Sequence, residues 1–222
     1  MNLLVRKLIA KELFLNRALV AGATAAGLAG LLIAATGEVG FNVGFVVWLT
    51  ALIAMGVMLA LFGVGNERKE RAQLFVLSLP LAPADYVRAK LFGLLLCFVL
   101  AWVVLSGGAL ALIAIAPGIP DGLLPYGVLM CVFMLLNFSL VLCAALHIRS
   151  EAAMGGVIIL TNMSVSLFMM GVTRVPGIAA HMLQPEPTWT PAFWQLLAAE
   201  IALTLVALAL PLFVAARRQD VV

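Results

Sequence analysis

The charged residues that could carry out chemistry in this chain are concentrated in one short window. The 222 residues include only 13 lysines and arginines and 10 aspartates and glutamates. Seven of these fall between Glu67 and Arg88, in the sequence NERKERAQLFVLSLPLAPADYVR. Five consecutive charges, then apolar residues at helical spacing and Pro80, favour a short surface helix that docks into a soluble partner. A plain positive-charge anchor would explain Arg88 but not Glu67 and Glu70.

The cysteines and histidines show no catalytic or metal-binding pattern. Cys97, Cys131 and Cys143 fall within apolar runs without the spacing of zinc ligands, so they are predicted to be small buried residues. His147 and His181 are predicted on opposite sides of a membrane, with no HExxH motif and no nucleophile–base arrangement. No GxxxxGK[ST] phosphate-binding loop is present. The sequence therefore predicts no catalytic residue, no metal site and no cofactor in this chain.

The composition places the chain in lipid. Of its residues 65% are hydrophobic and the mean hydropathy is +1.19, more apolar surface than one water-soluble core of this length can bury. Apolar runs of about 20 residues recur, and each would cross a hydrocarbon layer of about 30 Å. Continuous runs favour helices, so the predicted fold class is an all-α membrane protein with six transmembrane helices. The predicted spans are Ala18–Thr36, Phe41–Val64, Leu91–Ala116, Leu124–Ile148, Ala152–Val172 and Ala192–Ala215.

The lysines and arginines predict how the chain is oriented. With six spans, both termini lie on the same side as the 65–90 and 148–152 loops, and every basic residue except Arg174 falls on that side. By the positive-inside rule this side is cytoplasmic, so both termini are predicted to be cytoplasmic. The net charge of +3 comes from residues that flank spans, which argues against nucleic acid as a partner.

One transmembrane domain is predicted over residues 1–222. Residues 1–17 form a basic lead-in, either as a short helix on anionic lipid or as a plain cytoplasmic segment. Residues 65–90 form a cytoplasmic loop. Residues 173–191 contain four prolines and Trp189, and they are predicted to form short helical pieces at the outer interface.

Two groups of residues inside the spans carry further predictions. Small residues four apart in the first span allow another helix to approach closely. Polar side chains in the later spans cost free energy in lipid unless they have hydrogen-bond partners. The ordinary explanation for their presence is hydrogen bonding between helices, and the alternative is a path for a transported solute. Glu200 would lie about 13 Å deep. The predicted packing residues are Gly22, Ala26, Gly27 and Gly30, and the candidate path residues are Asn137, Asn162, Ser164, Ser166 and Glu200.

The charged window resembles the first cytoplasmic loop of ABC-2 type transporter permeases. In that family a run of acidic and basic residues precedes a leucine-rich stretch ending in SLP, and a turn leads to an AK pair that enters the third span. Here Glu67–Arg71 is followed by Ser78–Leu79–Pro80 and then by Ala89–Lys90. The resemblance extends in outline to the whole chain, without the large extracytoplasmic or fused ATPase domains of some members.

The resemblance implies the permease subunit of an ATP-binding cassette exporter in the bacterial inner membrane. A separate ATPase subunit would bind ATP and Mg²⁺, and a second permease copy would complete a homodimer or heterodimer within membrane lipid. This chain would not be an enzyme by itself. The nearly uncharged spans suit a lipid-like, peptide or other amphipathic solute. The residues that would form the coupling helix at the ATPase subunit are Glu67, Arg68, Lys69, Glu70, Arg71, Phe75, Ser78, Leu79 and Pro80.

Other functions fit the sequence less well. A membrane-embedded enzyme would need a reactive cluster that the sequence does not offer. A secondary transporter would be expected to show internal repeats or paired charges within the spans, and neither is recognised. A structural or partner-stabilising membrane protein stays open, and it predicts no ATPase partner.

Overall fold

The computed structural model describes residues 3–66, 83–116, 118–148 and 150–217. The regular elements in these ranges are all helices, and six of them are long and apolar enough to cross a membrane, as the sequence predicted. The predicted cytoplasmic side of the termini stays a prediction. The helices are α1 (Leu3–Ala34), α2 (Glu38–Ala60), α3 (Pro83–Ile115), α4 (Leu124–His147), α5 (Glu151–Val172), the short α6 (Pro176–Ala179) and α7 (Pro191–Arg217).

Two of the long helices begin well before the predicted spans. α1 begins at Leu3, so the proposed lead-in and the first span are one continuous helix, and α3 begins at Pro83. In α1 the buried residues Val5, Glu12 and Asn16 recur at intervals that match one helical face. The polar residues near the start of α1 are therefore divided between a buried face and an exposed face.

The core lies where α2, α3 and α4 meet. Trp48 and Leu52 from α2 and Leu94 from α3 are almost fully buried there. The rings of Phe98 and Phe138 stack with centroids 4.1 Å apart and join α3 to α4. Around this core, α1 packs against α2 and α3, whereas α7 packs mainly against α4. Large apolar side chains on the outer faces of α5 and α7 are exposed, as expected where lipid takes the place of water.

α1 and α2 approach each other at a pair of glycines. A Cβ atom added at Gly30 would lie 2.9 Å from the carbonyl oxygen of Gly44, and one added at Gly44 would overlap the carbonyl oxygen of Gly30. Neither position has room for a larger side chain, so the two backbones are in direct contact. This is the packing that small residues permit between membrane helices.

The helix α2 does not end in a regular α-helical turn. It continues as a π-helical turn, Leu61–Asn66, which immediately precedes residue 67. A Cβ atom added at Gly63 would lie 2.6 Å from the Leu94 side chain, so this turn packs against α3. The chain therefore leaves α2 and enters α3 at the same end of the bundle. We call this end of the bundle, with the first turns of α1, the loop end.

Candidate functional site

A buried ion pair connects α1 and α3 at the loop end. The Nζ atom of Lys90 lies 2.7 Å from the Oε1 atom of Glu12, and each side chain is only 5% exposed. The short charge-assisted contact offsets the large free-energy cost of removing two charges from water. Both residues lie just outside the predicted spans, and they meet because α1 and α3 extend beyond those spans.

Several neighbours hold Glu12 in this position. Asn16 Nδ2 donates a hydrogen bond of 2.9 Å to the backbone oxygen of Glu12, and the Cys97 thiol lies 3.8 Å from the same oxygen. A Cβ atom added at Gly93 would come within 2.9 Å of the Glu12 side chain, so Glu12 packs directly on the α3 backbone. The ion pair is therefore part of a packed contact and not a loose surface bridge.

A second ion pair in α3 is of a different kind. Arg88 Nη1 lies 3.3 Å from Asp85 Oδ1 within the first turns of α3, with the two side chains 52% and 26% exposed. Exposed pairs of this type contribute about 0 to 1 kcal/mol. The first turns of α3 thus take part in one buried ion pair with α1 and in one exposed ion pair within α3.

The predicted coupling residues cannot be placed in this geometry. All of them belong to residues 67–82, which lie outside the described residues, so the coupling helix stays a prediction. They are Glu67, Arg68, Lys69, Glu70, Arg71, Phe75, Ser78, Leu79 and Pro80. The structure shows only that the two flanking helices, α2 and α3, meet at the loop end.

Three of the candidate path residues lie near the contact between α4 and α5. Asn137 is buried in α4, and its Nδ2 atom donates a hydrogen bond of 2.8 Å to the backbone oxygen of Thr161 in α5. Ser164 donates to the same oxygen at 2.6 Å. The neighbouring Asn162 has a buried Oδ1 atom with no hydrogen-bond partner among the described residues. For Asn137, the geometry matches a helix–helix hydrogen bond.

Glu200 and Ser166 are the other two candidate path residues. Glu200 is 4% exposed in α7, and neither of its carboxylate oxygens has a hydrogen-bond partner in the described parts of the chain. Ser166 is on an exposed face of α5. The path through Asn137, Asn162, Ser164, Ser166 and Glu200 stays a prediction.

The four predicted packing residues are divided between two faces of α1. Gly27 faces α3, where an added Cβ atom would come within 2.6 Å of the Leu105 side chain, and Gly30 contacts α2. Gly22 and Ala26 instead line an open groove of about 620 Å³ between α1 and α2. Residues four apart share a face of a helix, so Gly22, Ala26 and Gly30 lie on the side of α1 that faces α2, whereas Gly27 lies on the side that faces α3.

A cavity of about 210 Å³ lies between α1, α2, α3, α4 and α5 at the opposite end from the loop end. We call it the aromatic cavity because Phe41, Phe45, Trp48 and Tyr126 contribute to its lining. None of the candidate path residues lines it or the α1–α2 groove. Sequence reasoning missed this cavity because its lining comes from five helices.

The indoles of two tryptophans also make contacts that the sequence analysis missed. Trp48 Nε1 donates to the backbone oxygen of Leu105 at 3.1 Å, and Trp102 Nε1 donates to that of Cys131 at 2.7 Å. A tryptophan in the middle of an apolar run needs a partner for its N–H group, which is a usable sequence signal. A similar signal existed for the ion pair, since Glu12 is the only acidic residue in residues 1–36.

Comparison with known protein families identifies the family of this chain. The family model described as ABC-2 family transporter protein matches residues 7–175, which include α1 to α5 from the second turn of α1 onward and the charged window. No curated protein and no solved structure matches the chain. The match covers well over half of the 222 residues and agrees with the six membrane-length helices. The chain therefore belongs to the ABC-2 family of transporter proteins, as a multi-pass membrane permease.

Proposed function

We propose that this protein is the permease subunit of an exporter in a bacterial inner membrane, driven by ATP hydrolysis on a separate subunit. The observation that carries the proposal is the family match together with the charged window placed between α2 and α3. Membership of the ABC-2 family implies association with an ATP-binding cassette ATPase. The ATP and Mg²⁺ would be bound by that partner, and this chain would have no catalytic activity of its own.

The loop end provides a mechanical reason for placing the partner there. α3 begins at Pro83, within the charged window of residues 67–88, and Lys90 then joins α3 to α1 through Glu12. A movement of the docked window would thus be passed to α3 and, through the ion pair, to α1. Closure of the ATPase subunits on ATP would shift the permease between two conformations that differ in how they bind the partner.

The remaining parts of the proposal concern the assembly and the solute. A second permease copy, identical or different, would complete the transporter. The transported solute would be lipid-like, a peptide or otherwise amphipathic, because few charges lie within the helices to balance a highly charged solute. The positive-inside distribution would place the loop end, and hence the ATPase, in the cytoplasm.

Co-purification tests the proposal most directly. The tagged protein is extracted from its native membrane in a mild detergent, and the chains that remain bound are identified and counted by mass spectrometry. We expect one protein with a phosphate-binding GxxxxGK[ST] motif at a fixed ratio, and Mg²⁺-dependent ATP hydrolysis by the complex. Reconstituted vesicles that transport solute without such a partner and without ATP would overturn the proposal and would favour a secondary transporter.

A further inference from the structure

The aromatic cavity has the chemistry of a site for an apolar group. Phe41, Phe45 and Trp48 form a ladder along α2, with ring centroids 6.5 and 5.5 Å apart in successive stacked pairs. The Trp48 N–H group is occupied by the Leu105 carbonyl oxygen, so it is not available to a ligand. An engineered cavity of about 150 Å³ with an apolar lining stays dry and binds benzene, and this one is larger.

The cavity has a distinguishable mouth and floor. Asn42 is the exposed polar residue of the lining and lies in the second turn of α2, near the helix end. Trp48 and Met130, which are 1% and 0% exposed, form the deep part. The six residues from Asn42 to Trp48 correspond to about 9 Å along the helix axis. The cavity therefore leads inward from the level of the helix ends toward the core.

The polar groups of the lining are grouped in a way that suits an amphiphile. Asn42 Nδ2 donates to the Glu38 backbone oxygen at 3.1 Å, and the second polar lining residue, Tyr126, is half-buried. The rest of the lining is aliphatic, aromatic or sulfur-containing, including Met130 and Met169. Methionine side chains adapt to flexible apolar ligands. A molecule with a polar end at Asn42 and one apolar chain toward Trp48 matches this distribution.

We propose that the aromatic cavity binds one acyl chain of a membrane lipid, with the lipid headgroup at the level of Asn42. Lipid is favoured over other apolar ligands because the lining comes from five membrane-length helices at one end of the bundle, where acyl chains are the abundant apolar molecules. An acyl chain in the cavity would also make the van der Waals contacts that the lining residues lack when the space is empty. The site does not depend on the partner ATPase, so it is independent of the function proposed above.

Fluorescence of Trp48 provides the test. A variant with Trp102→Phe, Trp189→Phe and Trp194→Phe retains Trp48 as its single tryptophan. It is reconstituted in phosphatidylcholine vesicles whose acyl chains are either brominated or unmodified, since bromine quenches an indole that it approaches closely. We expect strong quenching by brominated lipid although Trp48 is only 1% exposed. Equal emission in both kinds of vesicle would overturn the proposal.

A matched pair of α3 variants assigns any quenching to the cavity. Ala109 lines the cavity, whereas Ala111, two residues along the same helix, is exposed on the outer face. Ala109→Phe fills the space and should remove most of the quenching, and Ala111→Phe should leave it unchanged. Equal quenching in the two variants would show that the bromine acts from the bilayer around the protein and would overturn the proposal.

Two further measurements keep the test decisive. If bromobenzene quenches Trp48 while brominated lipid does not, the cavity accepts small apolar solutes and the lipid assignment is wrong. If the tryptophan replacements prevent folding, native mass spectrometry of the otherwise unmodified protein counts retained lipid. The wild type and Ala111→Phe should then each carry one more tightly bound lipid than Ala109→Phe, and equal lipid counts would overturn the proposal.

Discussion

Lys90 Nζ and Glu12 Oε1 lie 2.7 Å apart in a contact from which solvent is almost absent, at the point where α3 begins and α1 passes beside it. The two residues are 78 positions apart in the chain. Their pairing connects α3, which begins within the charged window, to the first helix of the bundle. It is shorter and more deeply buried than the pair of Arg88 with Asp85, and it can be tested by removing either charge.

Removal of one partner should destabilise the protein strongly. Glu12→Gln or Lys90→Met leaves the other charge buried without this partner, and each should lower the free energy of unfolding by about 3 to 5 kcal/mol. The double variant should recover a large part of that loss because both charges are then gone. Unfolding in detergent micelles, followed by tryptophan fluorescence, measures these changes. Arg88→Ala, which breaks the exposed pair, is the control and should change stability by about 1 kcal/mol or less.

The contact between α1 and α2 should not tolerate a methyl group. Gly44→Ala would drive a Cβ atom into the carbonyl oxygen of Gly30, so the helices must separate, at a cost of about 1 to 3 kcal/mol. Gly22→Ala is the matched control, because an added Cβ atom there meets nothing within 4 Å. It should be neutral or stabilising, since alanine is the better helix former. Similar thermal stability of the two variants would contradict the close packing.

Replacement of the Glu200 carboxyl group should not destabilise the fold. Glu200 is 4% exposed, and its carboxyl oxygens have no hydrogen-bond partner among the described residues, so their burial costs free energy. Glu200→Gln keeps the shape and removes the ionisable group, so the variant should be at least as stable as the wild type. Glu38→Gln, at an exposed position in the first turn of α2, is the control. A loss of more than about 1 kcal/mol in Glu200→Gln would indicate that the carboxyl group has a favourable partner.

Reversal of charge in the predicted coupling helix should uncouple transport from ATP hydrolysis. We expect Glu67→Lys, Glu70→Lys and Arg71→Glu to reduce transport by reconstituted complexes because oppositely charged contacts with the ATPase would be replaced by repulsion. ATP hydrolysis and helix content, measured in parallel, should persist. The control is Arg174→Glu, at the opposite end of the bundle. Unimpaired transport in all three loop variants would contradict the docking of this window.

Much of the architecture was predictable because its cause is local. Apolar runs long enough to cross a membrane predict helices wherever they occur, and six such helices are present in the described residues. The boundaries were less predictable. The runs mark where lipid requires apolar residues, but α1 and α3 continue into polar sequence because residues such as Glu12 and Lys90 find partners in other helices.

The polar residues in the spans show the same limit. The sequence identified Asn137 as a residue that needs a hydrogen-bond partner. It did not show that this partner is the Thr161 backbone oxygen. Likewise, the separation of Gly27, which faces α3, from Gly22, Ala26 and Gly30, which face α2, depends on which helices surround α1.

The sequence by itself determined that this chain is a helical membrane protein with a charged window after the second span, since hydropathy and charge act on each segment separately. Only the tertiary structure decided which side chains meet. The ion pair of Glu12 with Lys90 and the aromatic cavity both join residues far apart in the chain, and such contacts depend on how whole helices pack, which no local pattern specifies.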